Sequence, residues 1–185
     1  MLVFKRFFIA LTLVFTTFVS YSQKCKQTFY IVRHAEKDTG SDPSLSAPGK
    51  IRAGDLYRTL KNKNIDIIYA TKYKRTQMTG DSLKIYQQVK MLIYPADTTG
   101  EGLVQKIENE NETGKNILII GHSNTILPTI KRLGVKNISV NDIQDDEYDY
   151  LFIIRYKKNK AILKVEKYGA KQVNMTQQNK MNPLQ

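Results

Sequence analysis

The sequence predicts an α/β fold, a three-layer α/β/α sandwich whose central sheet is mostly parallel and ends in a C-terminal antiparallel hairpin. Runs of β-branched and aromatic residues alternate with segments of helical apolar spacing, which is the pattern of parallel strands joined by helices. Residues 116–120 (NILII) form the most continuous apolar run, typical of a strand buried on both faces of a sheet. Two later runs, 148–157 and 161–168, are separated by three residues, which indicates a hairpin.

The first half of the predicted sheet alternates strand and helix without interruption. The strands are rich in β-branched and aromatic residues, and the helices repeat apolar residues three and four positions apart. Pro95 ends the third strand because proline lacks the backbone N–H that a sheet requires. The predicted strands are residues 27–33, 65–70 and 89–94, and the predicted helices are residues 48–60 and 76–88.

The second half continues the pattern and then changes it. A short helix is predicted over residues 102–111, the buried strand over 116–120 and another helix over 124–133. Gly134 follows as a suitable stop, because glycine readily adopts the left-handed conformation that ends many helices. The hairpin then closes the sheet.

Composition excludes several classes of protein. The chain has 185 residues, 41% of them hydrophobic and 25% charged, which is a globular composition with room for one domain. That domain is predicted over residues 23–170, with a polar tail at 171–185. One Cys excludes an intramolecular disulfide framework, and with only two His it cannot build a common structural zinc site. No metal and no cofactor is expected.

The first 22 residues are predicted to be a signal peptide. Lys5 and Arg6 precede an apolar run over residues 7–19, and Ser20 and Ser22 supply the small residues of a cleavage site. The run is shorter than the about 20 residues of a membrane span, so no stable span is expected after cleavage. The mature protein is expected in the periplasm or secreted. An uncleaved N-terminal anchor remains an alternative.

Charge alone does not identify the partner. The net charge is +12, but the basic clusters are scattered and show no stripe interleaved with stacking aromatics. Nucleic acid is therefore not expected as a partner. The expected partner is a small phosphorylated substrate or a phosphoprotein.

The chemistry lies where predicted strands end. The first strand leads into Arg33 and His34, and the buried strand leads into Gly121 and His122. The second strand is followed by a basic segment that contains Arg75. Because open α/β sheets bind ligands outside the carboxyl ends of their strands, both histidines of the chain are expected at one edge.

Two arginines and two histidines at one edge suit a phosphoryl group. A guanidinium is always charged and binds phosphate oxygens in a bidentate manner. A neutral imidazole can act as a nucleophile and form a covalent phosphohistidine, and neighbouring arginines favour the neutral form. A cationic clamp on the transferring group then supplies most of the catalysis, so no metal is required.

Three segments resemble the histidine phosphatase superfamily, also called phosphoglycerate mutase-like, and its small bacterial phosphatase branch. They are residues 32–37 (VRHAEK), 69–76 (YATKYKRT) and 121–125 (GHSNT), in the order that the family has. Ala35 stands where Gly is usual, a variant common among the phosphatases. The resemblance covers about residues 27–135.

The resemblance implies roles for individual residues. His34 would be the phosphorylated nucleophile, while Arg33, Arg75 and His122 would complete the phosphate pocket as catalytic residues. Arg33 and Arg75 would also bind substrate, together with Ser123 and Lys37. The competing interpretations are a helix N-cap at Ser123 or Asn124 and a solvated loop lysine at Lys37. Glu36 belongs to the motif and could orient Arg33.

The general acid is left open. Asp97 and Glu101 lie in a loop (PADTTGEG) where the mutase-like branch carries an acid, but a capping or solvated role fits them equally well. In the acid phosphatase branch an Asp directly follows the second histidine, and here that position is Ser123, which argues against that branch.

The favoured function is an exported, metal-independent phosphomonoesterase that works through phosphohistidine. A protein phosphohistidine phosphatase or a phosphoglycerate mutase-like enzyme is an alternative within the class. An inactive exported binder of anionic ligands is the alternative from another class. Substrate specificity is expected in the loops 38–48, 94–102 and 139–149, which contain no recognisable code.

Overall fold

The computed structural model describes residues 27–157 and 160–169. The predicted signal peptide, the predicted tail and the turn of the hairpin lie outside these residues. Strands and helices alternate as far as the fourth helix, and two strands follow. In chain order the elements are β1 Thr28–Arg33, α1 Ala47–Leu60, β2 Ile67–Thr71, α2 Lys74–Tyr86, β3 Lys90–Tyr94, α3 Glu101–Asn109, β4 Asn116–Gly121, α4 Ser123–Arg132, β5 Tyr150–Lys157 and β6 Lys160–Lys167.

The six described strands form one sheet in the order β3-β2-β4-β1-β5-β6. The pairs β2–β3, β2–β4 and β1–β4 are parallel, whereas β1–β5 and β5–β6 are antiparallel. The predicted mostly parallel sheet with a C-terminal hairpin is therefore confirmed. The most apolar strand, β4, lies between two parallel neighbours, as its continuous apolar run predicts.

Helices cover both faces of the sheet. Phe29 and Ile31 of β1 pack in a core with Ile126 of α4, whereas Tyr30 and Val32 pack in a second core with Leu56 of α1. Successive strand residues point to opposite faces, so one strand supplies both cores. Helices α3 and α4 lie on the first face and α1 and α2 on the second, which confirms the three layers.

Several element ends differ from the prediction by one or two residues. Helix α2 begins at Lys74 instead of residue 76, and α4 begins at Ser123 instead of residue 124. The N-cap of α4 is His122, so the expected N-cap at Ser123 or Asn124 is wrong. Gly134 has φ of 88° after the C-cap of α4, which confirms it as the stop. No helix within residues 27–157 and 160–169 is long and apolar enough to span a membrane.

Candidate active site

The ends of β1 and β4 lie side by side. Arg33 pairs with Gly121 in the parallel register, and the backbone N–H of His34 donates to the carbonyl of Gly121 at 3.0 Å. The imidazole rings of His34 and His122 are thereby brought within 5.3 Å between centroids, one edge toward the other. The structure thus brings both histidines of the chain together at one sheet edge.

Gly121 is closely approached by neighbouring side chains but does not adopt an unusual dihedral, since its φ is not positive. A Cβ there would lie 3.0 Å from Thr125 Oγ1 and 3.2 Å from the hydroxyl of Tyr94. The same Thr125 hydroxyl accepts a hydrogen bond from the backbone N–H of His122 at 3.0 Å. The glycine therefore lets α4 begin directly beside the second histidine.

The hydrogen bonds of His34 determine which ring nitrogen can attack. Its Nδ1 lies 2.8 Å from the carbonyl oxygen of Ala35. A carbonyl oxygen can only accept, so Nδ1 carries the proton and the lone pair of the neutral ring is on Nε2. The segment is held in turn by Thr79 of α2, whose hydroxyl accepts from the N–H of Ala35 at 2.9 Å and donates to the carbonyl of Arg75 at 2.7 Å.

His34 is held in the neutral form. Its side chain is buried, and burial lowers its pKa from 6.5 to about 3, helped by the positive charge of Arg33, by His122 and by Arg75. The hydrogen bond to the carbonyl of Ala35 works in the opposite direction, because it favours the charged ring. At neutral pH the imidazole therefore keeps the lone pair that a nucleophile needs.

His122 is also neutral, with an assignable tautomer. Burial and then the charges of Arg75 and Arg33 lower its pKa to about 4. Its Nε2 lies 3.0 Å from Thr71 Oγ1, which lies 2.9 Å from Thr76 Oγ1. The Thr76 hydroxyl is within 3.0 Å of two backbone carbonyls and donates to them. Because the single proton of the Thr76 hydroxyl is used in this way, its oxygen accepts the proton of the Thr71 hydroxyl. The oxygen of Thr71 in turn accepts from the His122 ring, so Nε2 of His122 carries the proton.

Arg33 is buried, with 5% of its surface exposed. Its Nη1 donates to the carbonyls of Gln144 at 2.8 Å and Glu147 at 3.3 Å, and its guanidinium lies 4.2 Å from the ring centre of Tyr148. Nη2 lies 3.6 Å from a carboxylate oxygen of Asp145, whose side chain is fully exposed. The loop between α4 and β5 therefore positions this cation.

Arg75 is positioned by its own strand-to-helix connection. Its guanidinium lies 4.4 Å from the ring centre of Tyr73, and its Nη1 is 3.9 Å from Asp42. The Nε–H groups of Arg75 and Arg33 are both buried without a hydrogen-bond partner among the described residues. An unmatched buried donor costs on the order of 1–3 kcal/mol, so an anion that accepts from both would be stabilised.

A cleft of about 500 Å³ joins these groups. All six residues predicted to act or bind line it. No Asp or Glu occurs among the lining residues in the described part of the chain, which makes the cleft cationic. The lining residues are Arg33, His34, Lys37, Tyr73, Arg75, Ala96, His122, Ser123, Asn124 and Thr125.

Ser123 and Lys37 occupy different positions on this cleft. Ser123 is the first residue of α4 and half-buried, so its backbone N–H is one of the unpaired donors at a helix start. Lys37 is exposed and belongs to an isolated bridge with Leu45. Ser123 can offer an anion a fixed donor, whereas Lys37 offers a mobile charge at the rim.

The two candidate acids are engaged elsewhere. Asp97 accepts from the N–H and hydroxyl of Thr99 at 2.8 and 2.6 Å, and from the N–H groups of Gly100 and Gly102 at 2.6 and 3.2 Å. These bonds, that of the Thr99 hydroxyl first, lower the pKa of Asp97. Glu101 is exposed and paired with Arg132 at 2.7 Å. The geometry favours the capping interpretation for Asp97 and the surface interpretation for Glu101.

Glu36 has a different partner from the one expected. Its carboxylate binds the buried guanidinium of Arg52 in α1 at 2.8 Å, so the expectation that it orients Arg33 is wrong. A Cβ at Gly49 would clash with the carbonyl oxygen of Glu36 and lie 2.8 Å from its carbonyl carbon. Helix α1 therefore packs tightly against the segment that follows His34.

Two aromatic side chains of the site had no role in the sequence prediction. The Tyr73 ring meets the His122 ring edge-on at 5.4 Å, and the Tyr148 ring lies 5.9 Å from that of His34. Tyr73 lies three residues after the predicted strand 65–70, in the basic segment that also contains Arg75, which is a local signal for a site residue. Tyr148 reaches the site from a loop more than a hundred residues later in the chain, for which no local signal exists.

The comparisons with known proteins agree with this geometry. Residues 29–96 match the model of the histidine phosphatase superfamily (branch 1). No curated protein matches the chain.

Solved structures share the fold at low sequence identity. A putative alpha-ribazole-5'-P phosphatase from Escherichia coli str. K-12 substr. MG1655 is 15% identical, with a TM-score of 0.62 over 78% of this chain and 99% of that one. The alpha-ribazole phosphatase from Shigella flexneri is 15% identical, with a TM-score of 0.61 over 78% and 100%. A putative phosphohistidine phosphatase SixA from Agrobacterium tumefaciens is 16% identical, with a TM-score of 0.56 over 78% and 98%.

The family model covers the first histidine motif and the second arginine, and the solved structures share the sheet that brings the second histidine beside them. The resemblance of this chain to the histidine phosphatase superfamily, with its phosphoglycerate mutase-like fold, is thereby confirmed.

Proposed function

We propose that the chain is a phosphomonoesterase that transfers the phosphoryl group to His34 and then to water. One observation carries the proposal. A neutral imidazole with its lone pair on Nε2 lies in the same cleft as two guanidiniums, each of which keeps a buried, unmatched N–H. A dianionic phosphoryl group supplies the acceptors that these donors lack.

In the first step Nε2 of His34 attacks phosphorus. The P–N bond forms as the ester P–O bond breaks, and the leaving alkoxide takes a proton from water in the open cleft. The ring becomes cationic when Nε2 is phosphorylated, and the Nδ1–H bond to the carbonyl of Ala35 stabilises that charge. The same bond therefore orients the nucleophile and stabilises the intermediate.

In the second step water attacks the phosphohistidine. The new P–O bond forms as the P–N bond breaks, inorganic phosphate leaves, and His34 returns to its neutral form. Throughout both steps the charge on the phosphoryl oxygens is balanced by Arg33 and Arg75. The neutral ring of His122 lines the same cleft, with its Nε2–H donated to Thr71. The positive charge comes from fixed side chains, so EDTA is expected to leave the rate unchanged.

A phosphohistidine phosphatase is the second candidate, and the composition of the cleft supports it. No Asp or Glu lines the cleft in the described part of the chain, so alkoxide departure lacks a carboxylic acid there. An imidazole is a far weaker base than an alkoxide and leaves phosphorus without such help. Two solved structures of the same fold are named putative phosphohistidine phosphatases.

We also propose that the enzyme is exported. The support is the sequence alone, namely the charged start, the apolar run over residues 7–19 and the small residues Ser20 and Ser22. Its substrates would then be phosphorylated molecules outside the cytoplasm. Mass spectrometry of the mature N-terminus tests this, and retention of residues 1–22 would indicate an anchor instead.

The activity is tested with the purified protein on benzyl phosphate and on a phosphohistidine-labelled protein. Phosphate release and an acid-labile phosphohistidine at His34 are expected, and His34→Asn should lower the rate at least about 10³-fold. Lys74→Gln is the control, because Lys74 starts α2 and does not line the cleft. Phosphate-ester binding without turnover in the wild type would support the inactive binder.

A further inference from the structure

A second cleft adjoins the active site. It has a volume of about 530 Å³ and shares Tyr73 and Ala96 with the phosphate cleft. It lies at the carboxyl ends of β2 and β3, at one edge of the sheet. Its lining residues are Lys72, Tyr73, Ile93, Tyr94, Pro95 and Ala96.

The walls of this cleft differ in chemistry from those of the phosphate cleft. Ile93 is 44% exposed, although it is a large apolar side chain in a strand, and Pro95 and Ala96 beside it are exposed. Lys72 is the charged lining residue, also exposed. An apolar surface with a cation at one side suits a flat apolar group that carries a negative substituent.

Tyr73 connects the two clefts. One neighbour of its ring is the guanidinium of Arg75, 4.4 Å from the ring centre, and another is the ammonium of Lys72 at 5.8 Å. Its edge-on contact with His122 fixes it beside the phosphoryl site. A group bonded to phosphorus at Arg75 and His122 can therefore extend past Tyr73 into the second cleft.

We propose that this second cleft is the leaving-group subsite of the active site, and that it selects phosphomonoesters whose alcohol carries a flat apolar group with an anionic substituent. The inference rests on the proposed phosphatase function. Burial of the ester's apolar part against Ile93 and Tyr73 would bind it, and Lys72 would pair with its anionic group. The shared residues make this the continuation of one site and not a separate one.

The test uses three esters whose leaving groups are all primary alkoxides, so that leaving-group chemistry differs little. They are ethyl phosphate, benzyl phosphate and 4-carboxybenzyl phosphate. For the wild type, kcat/KM is expected to rise in that order. The ring adds apolar contact worth about tenfold, and an exposed ion pair with Lys72 adds about twofold to fivefold.

Two substitutions with matched controls assign the preference to this cleft. Ile93→Ser should remove most of the benzyl preference over ethyl, whereas Ile85→Ser, an exposed isoleucine on α2, should leave it unchanged. Lys72→Gln should remove the gain from the carboxylate and leave benzyl phosphate unaffected, whereas Lys74→Gln should not. The effects should appear mainly in KM, and phosphohistidine formation should persist in all four variants.

The outcomes separate the two proposals. Equal kcat/KM for all three esters, or preferences that Ile93→Ser and Lys72→Gln leave intact, would overturn the subsite while the phosphatase stands. No turnover of any ester and no phosphohistidine would overturn the phosphatase itself.

Discussion

Acid should destabilise this protein through its two histidines, and the size of the effect follows from their surroundings. Both rings are buried beside two arginines, which lowers the pKa to about 3 for His34 and about 4 for His122. In the unfolded chain both titrate near 6.5. Between these values the unfolded state binds more protons, so the free energy of unfolding falls as the pH falls below 6.5.

The magnitude can be isolated by substitution. Between pH 7 and pH 5 a histidine that stays neutral in the folded state costs about 2 kcal/mol of stability, so the pair costs about 4 kcal/mol. His34→Asn removes one of them, and its stability should fall by about 2 kcal/mol less than that of the wild type over this interval. Other titrating groups are common to both proteins and cancel in the comparison.

Urea denaturation at pH 5 and pH 7, followed by tyrosine fluorescence or circular dichroism, measures this difference. Lys74→Gln serves as the control and should keep the wild-type pH dependence. Since the chain has two histidines, imidazole NMR of a protein without a histidine tag reports the same titrations directly. An equal pH dependence in His34→Asn, or an imidazole that becomes protonated near pH 6, would refute the buried neutral pair.

Three further outcomes are expected. Thr71→Val removes the hydroxyl that accepts from the ring of His122, and should lower kcat about tenfold to hundredfold with little change in KM. Thr71→Ser keeps the hydroxyl and should keep the wild-type kcat. Equal rates for the two variants would contradict the assigned tautomer. Gly49→Ala should destabilise the fold by about 2–4 kcal/mol in urea, because its Cβ meets the Glu36 carbonyl, whereas Gly54→Ala meets a flexible arginine end and should be tolerated. Asp97→Asn should keep turnover of benzyl phosphate within about threefold, and a hundredfold loss would make this carboxyl the general acid after all.

The layered fold could be predicted because each element carries its own pattern. Residues 29–32 form a continuous apolar run, as a strand buried on both faces requires, and the structure places Phe29 and Ile31 in one core and Tyr30 and Val32 in the other. The continuous apolar run of β4 likewise predicted its place between parallel neighbours. Element ends were less predictable, since the start of α4 at Ser123 involves contacts of the folded chain, such as the hydrogen bond from the backbone N–H of His122 to the hydroxyl of Thr125.

The partners of charged side chains were not predictable in the same way. Nothing near Glu36 in the sequence indicates Arg52, because the pair depends on how closely α1 packs against the end of β1. The sequence allowed either a capping or a catalytic role for Asp97. In the structure its carboxylate accepts four hydrogen bonds from three residues that follow it. The number of hydrogen-bond donors that reach a carboxylate depends on how the loop folds, which the local sequence does not show.

The sequence by itself determined the sheet, the placement of both histidines and both arginines at strand ends, and the family resemblance. These follow from local periodicity and from the rule that parallel strands end at one edge. Only the tertiary structure decided the proton positions on His34 and His122, the Tyr148 and Gln144 contacts of Arg33, and the apolar cleft beside Tyr73. Those depend on burial and on contacts between distant segments, which no local pattern encodes.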